Sequence, residues 1–269
     1  GLKPVVLSSK EGLILLSGTT SVTAFASLAI YDAQTLSLTA DIAGSFTLEV
    51  LKGTLMAMDE RLMAVRPHPD QINTAANIRA ILKDSPMLER YRGHRVQDAL
   101  SIRCMPQLHG PVKKAIKDAQ ATLAIELNSS VDNPLIFDEE DGGAVALMGC
   151  NADGTYAGMA SDNLCIAITD LCKMSNSRID RLLNSLVSEL PAFLNKNADF
   201  NNGLMMIQYA SAGLQGELRI LAHPAVVDNL TTCANQEDYV NMGYNAAKKA
   251  YDSMHLAKYI LAAELICDG

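Results

Sequence analysis

Apolar positions recur at helical spacing over most of this chain. From Ser21 to Leu55 there is no proline, and Val22, Ala26, Ala29 and Ile30 repeat with a period near four, followed by Leu36 and Leu38. That pattern predicts a long helix. A second helix is predicted over Pro111–Leu127. Pro111 suits a first turn; Val112, Ile116, Ala119, Leu123 and Leu127 form one stripe, and Lys113, Lys114, Lys117, Asp118 and Glu126 face away. A third spans Tyr156–Val187, with Ala160, Leu164, Ile168, Leu171 and Met174 on one side. A fourth covers Leu204–Leu221. A fifth runs from about Asn235 to Ile266, opened by Asn235-Gln236-Glu237-Asp238, where Asn or Asp would cap it.

The stretches between these helices are polar and irregular. They are Ser85–Pro106, the NSSVDNP turn from Asn128 to Pro134, the Gly/Asp-rich Phe137–Gly154, and the short DFNNG from Asp199 to Gly203. Alanine, glycine and serine on many helix faces let helices approach closely. Tryptophan is absent and aromatics are 5%, which favours a bundle of long helices over a barrel or sandwich. There is no internal repeat, so the 269 residues read as a single helical domain, 1–269.

Composition narrows the functional classes. Hydrophobic residues are 49% of the chain, enough for a packed core and against disorder. The net charge of −8 argues against nucleic acid and anionic membrane surfaces as partners. No apolar run reaches the ~18–20 residues that span a bilayer. The six cysteines form no C-x-x-C pair and none has zinc-finger spacing, so they read as reduced thiols of a cytoplasmic protein. Cys165 and Cys172 read as small core residues on one helix face.

The loops are dense in amides and charges. Arg103 follows Gln97, and Asn133, Asn151, Gln236 and Glu237 sit in other loops. An amide-lined pocket with one arginine suits a small carboxylate or zwitterionic ligand, because a guanidinium grips a carboxylate in bidentate fashion. Arg103 pairing with a structural carboxylate is the bland alternative. His94 and His109 read as surface or structural histidines. There is no H-E-x-x-H, P-loop, dinucleotide fingerprint or G-x-S-x-G.

Five segments, in this order, resemble the histidine and aromatic amino acid ammonia-lyase family. They are KEGLILLSGTT (Lys10–Thr20), RVQDALSIRCMPQLHG (Arg95–Gly110), SVDNPLIF (Ser130–Phe137), GLMMIQYASA (Gly203–Ala212) and AHPAVVDNLTTCANQEDYVNMG (Ala222–Gly243). The resemblance implies an all-α fold, a fumarase/aspartase-like central helical core, and a homotetramer whose sites are built from loops of several subunits. It implies elimination of ammonia from L-histidine or a related aromatic amino acid, leaving an α,β-unsaturated acid. The electrophile it implies is 4-methylideneimidazole-5-one (MIO), formed from an internal Ala-Ser-Gly. Residue by residue, Arg103 matches the carboxylate-binding arginine, Gln97 an active-site glutamine, and Asn151 the asparagine before the long helix. Glu237 matches an acidic residue that contacts the imidazole or handles a proton.

The chain departs from the family pattern at four places. Ala-Ser-Gly does not occur, so the chain resembles the central and C-terminal part of a longer lyase, with the MIO-bearing N-terminal segment expected elsewhere. Leu100 stands where the family has tyrosine, Ser17 where it has asparagine, and Ala152-Asp153 where it has an aromatic-containing pair. These changes remove polar groups and open the side-chain pocket. They motivate two alternatives: an MIO-independent carbon–nitrogen lyase of the ergothionase kind or an aminomutase, and a catalytically inactive paralogue.

Overall fold

The computed structural model describes residues 1–197 and 200–269. Six helices of more than two turns carry the fold: α1 (Thr20–Val50), α2 (Pro69–Ile81), α3 (Met105–Glu126), α4 (Thr155–Leu183), α5 (Met205–Leu221) and α6 (Gly243–Asp268). Helical turns of four or five residues, such as Pro86–Arg90 and Leu100–Arg103, punctuate the connections. An antiparallel hairpin, β1 (Leu135–Asp138) with β2 (Ala144–Leu147), pairs Leu135 with Leu147; all of β2 and the end of β1 fall in Phe137–Gly154, which the sequence reads as loop.

Small side chains set the packing of the three longest helices. Ala26, Ala29, Ala33 and Ala40 of α1 and Ala246, Ala247, Ala250 and Ala257 of α6 are all buried. Leu164, Ile168 and Leu171 of α4 are buried with them, as their spacing predicts. Cys165 and Cys172 are buried in the same layer, and burial pushes the Cys165 thiol up to about 11. At the end where α4 and α6 begin, a methyl on Gly158 would lie 2.9 Å from the Gly243 Cα, so this crossing requires glycine.

Hydrogen bonds fix the directions of the helices. Thr47 near the end of α1 donates to Glu264 near the end of α6 at 2.9 Å, and Arg178 near the end of α4 bonds Glu264 Oε2 at 2.9 Å. Helices α1, α4 and α6 therefore run parallel. Helix α3 runs the other way. His109 near its start meets Asp41, and Val131 just past its end meets Gly18.

Several boundaries differ from the sequence expectation. Helix α3 starts at Met105, so Pro106 fills the first turn and Pro111 lies inside the helix. Lys113 is not a solvated face residue. It is buried, and its Nζ donates to Asp41 Oδ2 at 2.6 Å and Asn73 Oδ1 at 3.0 Å. Leu38 and Leu127 are exposed rather than buried. Helix α2 arises where no element was expected, started by Pro69.

The last helix begins eight residues later than expected, because the chain turns back on itself first. Cys233, Ala234 and Asn235 have φ of 53°, 52° and 71°, and Thr232 and Glu237 form an antiparallel bridge. Gln236 and Glu237 thus sit in a turn and not on α6. Of the DFNNG segment, Asp199 lies outside the described residues, and Asn195 Nδ2 donates to Asn201 Oδ1 at 2.5 Å.

Candidate functional site

The sequence candidates fall into two groups at opposite ends of the bundle. Gln97, Leu100 and Arg103 lie where α1 ends and α3 begins. Asp98 anchors that segment, accepting from the Thr54 amide at 2.8 Å just beyond α1. Burial pushes the Asp98 carboxyl up from its ordinary value, against the Thr54 amide and the neighbouring Arg95, Arg181 and Arg103. Gln97 is exposed and Leu100 is 62% exposed, so Leu100 offers an apolar surface here.

Arg103 is half-buried on a single helical turn, Leu100–Arg103. Among the described residues no carboxylate pairs with it, and its Nε is shut off from solvent with no hydrogen-bond partner. Within the described residues of this one chain, the structural-carboxylate alternative finds no direct partner, and Asp98 is the carboxylate whose charge Arg103 influences. A desolvated guanidinium edge without a partner is costly unless a ligand or neighbouring chain fills it.

The second group gathers where α1, α4 and α6 begin. Gly18 (φ 85°) packs so tightly on Val131 that a methyl there would lie 2.4 Å from its carbonyl oxygen. Lys10 pairs with Asp132 at 2.8 Å. Asn133 Oδ1 accepts from the Gly149 amide at 2.8 Å, and Asn151 Nδ2 donates to the Ser130 carbonyl at 3.4 Å. Asp153 accepts from the Thr155 amide and from Asn241 Nδ2, both at 2.9 Å, so the carboxylate gained there caps α4 and ties two loops together. Thr155 and Tyr239 join their hydroxyls at 3.2 Å.

The Glu237 turn completes this end. Asn229 holds it from below, donating to the Asp238 carbonyl at 3.0 Å and accepting from the Val240 amide at 2.8 Å. Thr232 donates its hydroxyl to Glu237 Oε2, and both Gln236 and Glu237 are exposed. Ser17 is exposed too, but its hydroxyl is donated to the Leu13 carbonyl at 3.0 Å. Three parallel helices begin here, each placing partial positive charge at its N-terminus, which favours an anionic ligand group.

Helix α1 separates the two groups. Its 31 residues span about 45 Å at about 1.5 Å each. No single small ligand reaches both Arg103 and Glu237 of one chain. A cleft of about 1100 Å³ lies beside the first group, lined by Thr54, Glu60, Arg79, Tyr91 and Arg95 among others, and includes neither Gln97 nor Arg103. No set of three His, Cys, Asp or Glu among the described residues is placed to hold a metal ion. No helix among them is long and apolar enough to cross a membrane.

Comparison with known proteins settles the lineage. Residues 1–268 match the family model described as aromatic amino acid lyase. The chain belongs to this family. It is 46% identical over 266 residues to the histidine ammonia-lyase of Alkaliphilus metalliredigens, covering 99% of this chain and 52% of that protein. The crystal structure of histidine ammonia-lyase from Trypanosoma cruzi superposes with a TM-score of 0.89 at 36% identity, covering 99% of this chain and 50% of that one. The ergothioneine-degrading ergothionase from Treponema denticola also superposes with a TM-score of 0.89, at 25% identity over 99% of this chain and 53% of that one. The chain thus spans about half the length of the relatives it matches, and its predominantly helical fold is that of the ammonia-lyases and aminomutases.

Among the residues reached by structure and not by sequence, Thr232, Asn229 and Asn241 stand out. They hold the Glu237 turn and the Asp153 loop, and only the folded geometry reveals them. Glu189, which gathers Lys52, His94 and Arg95, is another.

Proposed function

We propose that this chain supplies substrate-binding and proton-handling residues of an ammonia-lyase acting on L-histidine or a related aromatic amino acid. The observation that carries the reading is Arg103. It is a half-buried guanidinium with a desolvated, unpartnered Nε at one end of the bundle, while the Asn151 and Glu237 loops occupy the other end. In this reading the two ends meet between copies of the chain, as a homotetramer with sites shared among subunits would allow.

Each residue then has a distinct task. Arg103 grips the α-carboxylate of the amino acid, and Gln97 offers an amide beside it. Asn133 and Asn151 shape the facing wall, and Gln236 and Glu237 meet the side chain. Glu237, held by Thr232, contacts an imidazole or takes the proton released from the β-carbon as the carbon–nitrogen bond breaks. Carbon–carbon double-bond formation expels ammonia and leaves the unsaturated acid.

MIO does not arise from the residues present. Ala210-Ser211-Ala212, one of the tripeptides that share two of the three residues of Ala-Ser-Gly, lies within α5 with the buried Ser211 hydroxyl donated to Asn176 Oδ1 at 2.7 Å. Helical backbone there is committed to its own ladder and cannot cyclise. No step of this reading passes through the group, and any MIO of the assembled protein comes from outside these residues.

A second reading has one specific observation behind it. Leu100 cannot donate a proton and the Ser17 hydroxyl is already given to Leu13, so this pocket has fewer donors to assist a leaving group. A quaternary ammonium group leaves with less help, as in an ergothionase-like elimination of trimethylamine. The test is to present the full-length protein with histidine, phenylalanine, tyrosine and their trimethylated betaines. A rise in ultraviolet absorbance with ammonia release supports the first reading. Trimethylamine release supports the second, and a β-amino acid identifies an aminomutase. No turnover of any of them points to the inactive paralogue.

A further inference from the structure

The segment that carries Gln97, Leu100 and Arg103 is held by more than its own backbone. Glu189 follows the short helix Ser185–Ser188 that extends α4, and its carboxylate collects cations from two other elements. Lys52 Nζ, two residues past the end of α1, reaches Glu189 Oε2 at 2.8 Å. His94 Nε2 lies 2.9 Å and Arg95 Nη2 3.3 Å from Oε1. Arg95 also donates Nε to the Leu51 carbonyl at 3.1 Å. Lys52 sits over the Tyr91 ring, 5.0 Å from its centroid.

Both partners of the central ion pair occupy left-handed backbone, Glu189 at φ 62° and Lys52 at φ 56°. Neither is the residue this conformation prefers, since glycine adopts it without the Cβ clash. The Glu189 side chain is 44% exposed. Exposed ion pairs add little to stability. Stability alone therefore gives no reason to keep a glutamate here. Both residues end helices, where left-handed backbone is common, so what singles out Glu189 is the set of side chains its carboxylate gathers beside a candidate site.

We infer that Glu189 is a positioning residue. Its carboxylate clasps His94 and Arg95 to the end of α1 and so fixes the loop that presents Gln97 and Arg103 to the substrate carboxylate. The clasp and the Asp98–Thr54 bond bracket the segment from both sides of Gln97. The inference rests on the lyase reading for its consequence, but the clasp itself is a property of this loop. With Glu189 ionised, Lys52, His94 and Arg95 share one acceptor group; the hydrogen bonds from Lys52 and His94 hold its carboxyl at about 2, well below the usual carboxylate range.

The test uses the full-length protein and three variants, Glu189→Gly, Glu189→Gln and Glu189→Asp. Glycine removes the charge and relieves the backbone together, so its fold should be at least as stable as the wild type. Hydrogen exchange at the amides of residues 94–103 should nonetheless speed up about tenfold, matching the loss of one charge-assisted hydrogen bond. KM for the amino acid should rise by about the same factor while kcat changes less, because Arg103 binds the carboxylate in ground and transition states alike. Aspartate, which keeps the charge, should restore part of both effects, and glutamine should restore less. Unchanged exchange over 94–103 in Glu189→Gly overturns the inference. So does faster exchange with unaltered KM in an active enzyme. If the wild type eliminates nothing from any amino acid, the lyase reading fails, and the exchange result alone decides whether the clasp exists.

Discussion

Arg178 of α4 and Glu264 of α6 form an ion pair in which neither side chain is exposed to solvent. The guanidinium Nη2 lies 2.9 Å from Glu264 Oε2, and Thr47 of α1 donates to Oε1 at 2.9 Å. Ser175 donates to the same carboxylate, and the Arg178 Nη1 reaches the Ser101 carbonyl at 3.2 Å. This one cluster joins the three parallel helices to the turn that ends at Arg103.

Removing one partner strands the other charge in the core. Arg178→Met should cost about 3–5 kcal/mol, the range for an uncompensated buried charge. The double variant Arg178→Met, Glu264→Leu should recover much of that loss. Chemical denaturation of the two variants checks this, and additive losses would mean that the pair is not coupled.

The crossing of α4 over α6 gives a second expectation. An added methyl at Gly158 meets the Gly243 Cα at 2.9 Å and Val226 Cγ1 at 3.1 Å. Backbone cannot yield as a flexible side chain does, so Gly158→Ala should destabilise by about 1–3 kcal/mol. It should also disturb the Asn151 and Glu237 loops, which sit on these helix starts. A thermal melt indistinguishable from wild type would show that the contact is looser than described.

Acid should unlock the interior through His109. The imidazole is fully buried, its Nδ1 lies 2.8 Å from Asp41 Oδ1, and burial holds its pKa below the ordinary value. Its Nε2 has no partner. For Asp41, burial works against the carboxylate, but the His109 and Lys113 contacts outweigh it and keep its pKa low. A folded pKa below the unfolded one contributes stability that is present at higher pH and lost as pH falls. Stability should therefore drop as pH falls below about 6.5, where an unfolded histidine takes its proton. Denaturation midpoints between pH 7.5 and pH 5 should fall less steeply in His109→Met. Equal slopes would contradict this assignment.

Arg103 makes the sharpest separation of stability from function. It has no carboxylate partner among the described residues and its Nε is desolvated without one, so Arg103→Met should leave the fold no less stable. Loss of a bidentate carboxylate contact should lower kcat/KM by about 100-fold, near 3 kcal/mol for two charge-assisted bonds. Lysine should rescue only part, since it lacks the planar fork. A large loss of stability with little loss of activity would assign Arg103 to the fold instead.

The long helices were legible because their apolar stripes are long and regular. Leu164, Ile168 and Leu171, and Val112, Ile116 and Ala119, are buried as spacing predicts. The burial of Lys113 is not legible in the sequence, because helical periodicity says nothing of a buried Asp41 on another helix. The late start of α6 is hidden in the sequence because Cys233, Ala234 and Asn235 carry no turn-forming glycine, yet take positive φ under the Thr232–Glu237 bridge. The candidate residues were identifiable from motifs, but their division between the two ends of α1 was not. That division depends on helix direction, which a motif does not encode.

In the proposed lyase, Arg103 and Glu237 serve one site only when they come from different copies of the chain. Subunit complementation tests it most directly. Full-length Arg103→Ala and Glu237→Gln should each be inactive with the preferred amino acid. Unfolded together in equal amounts and reassembled, they should regain about a quarter of wild-type activity, the share of shared sites that draw both intact residues at random. No recovery in correctly reassembled oligomers would place both residues in the same chain's site and contradict the account.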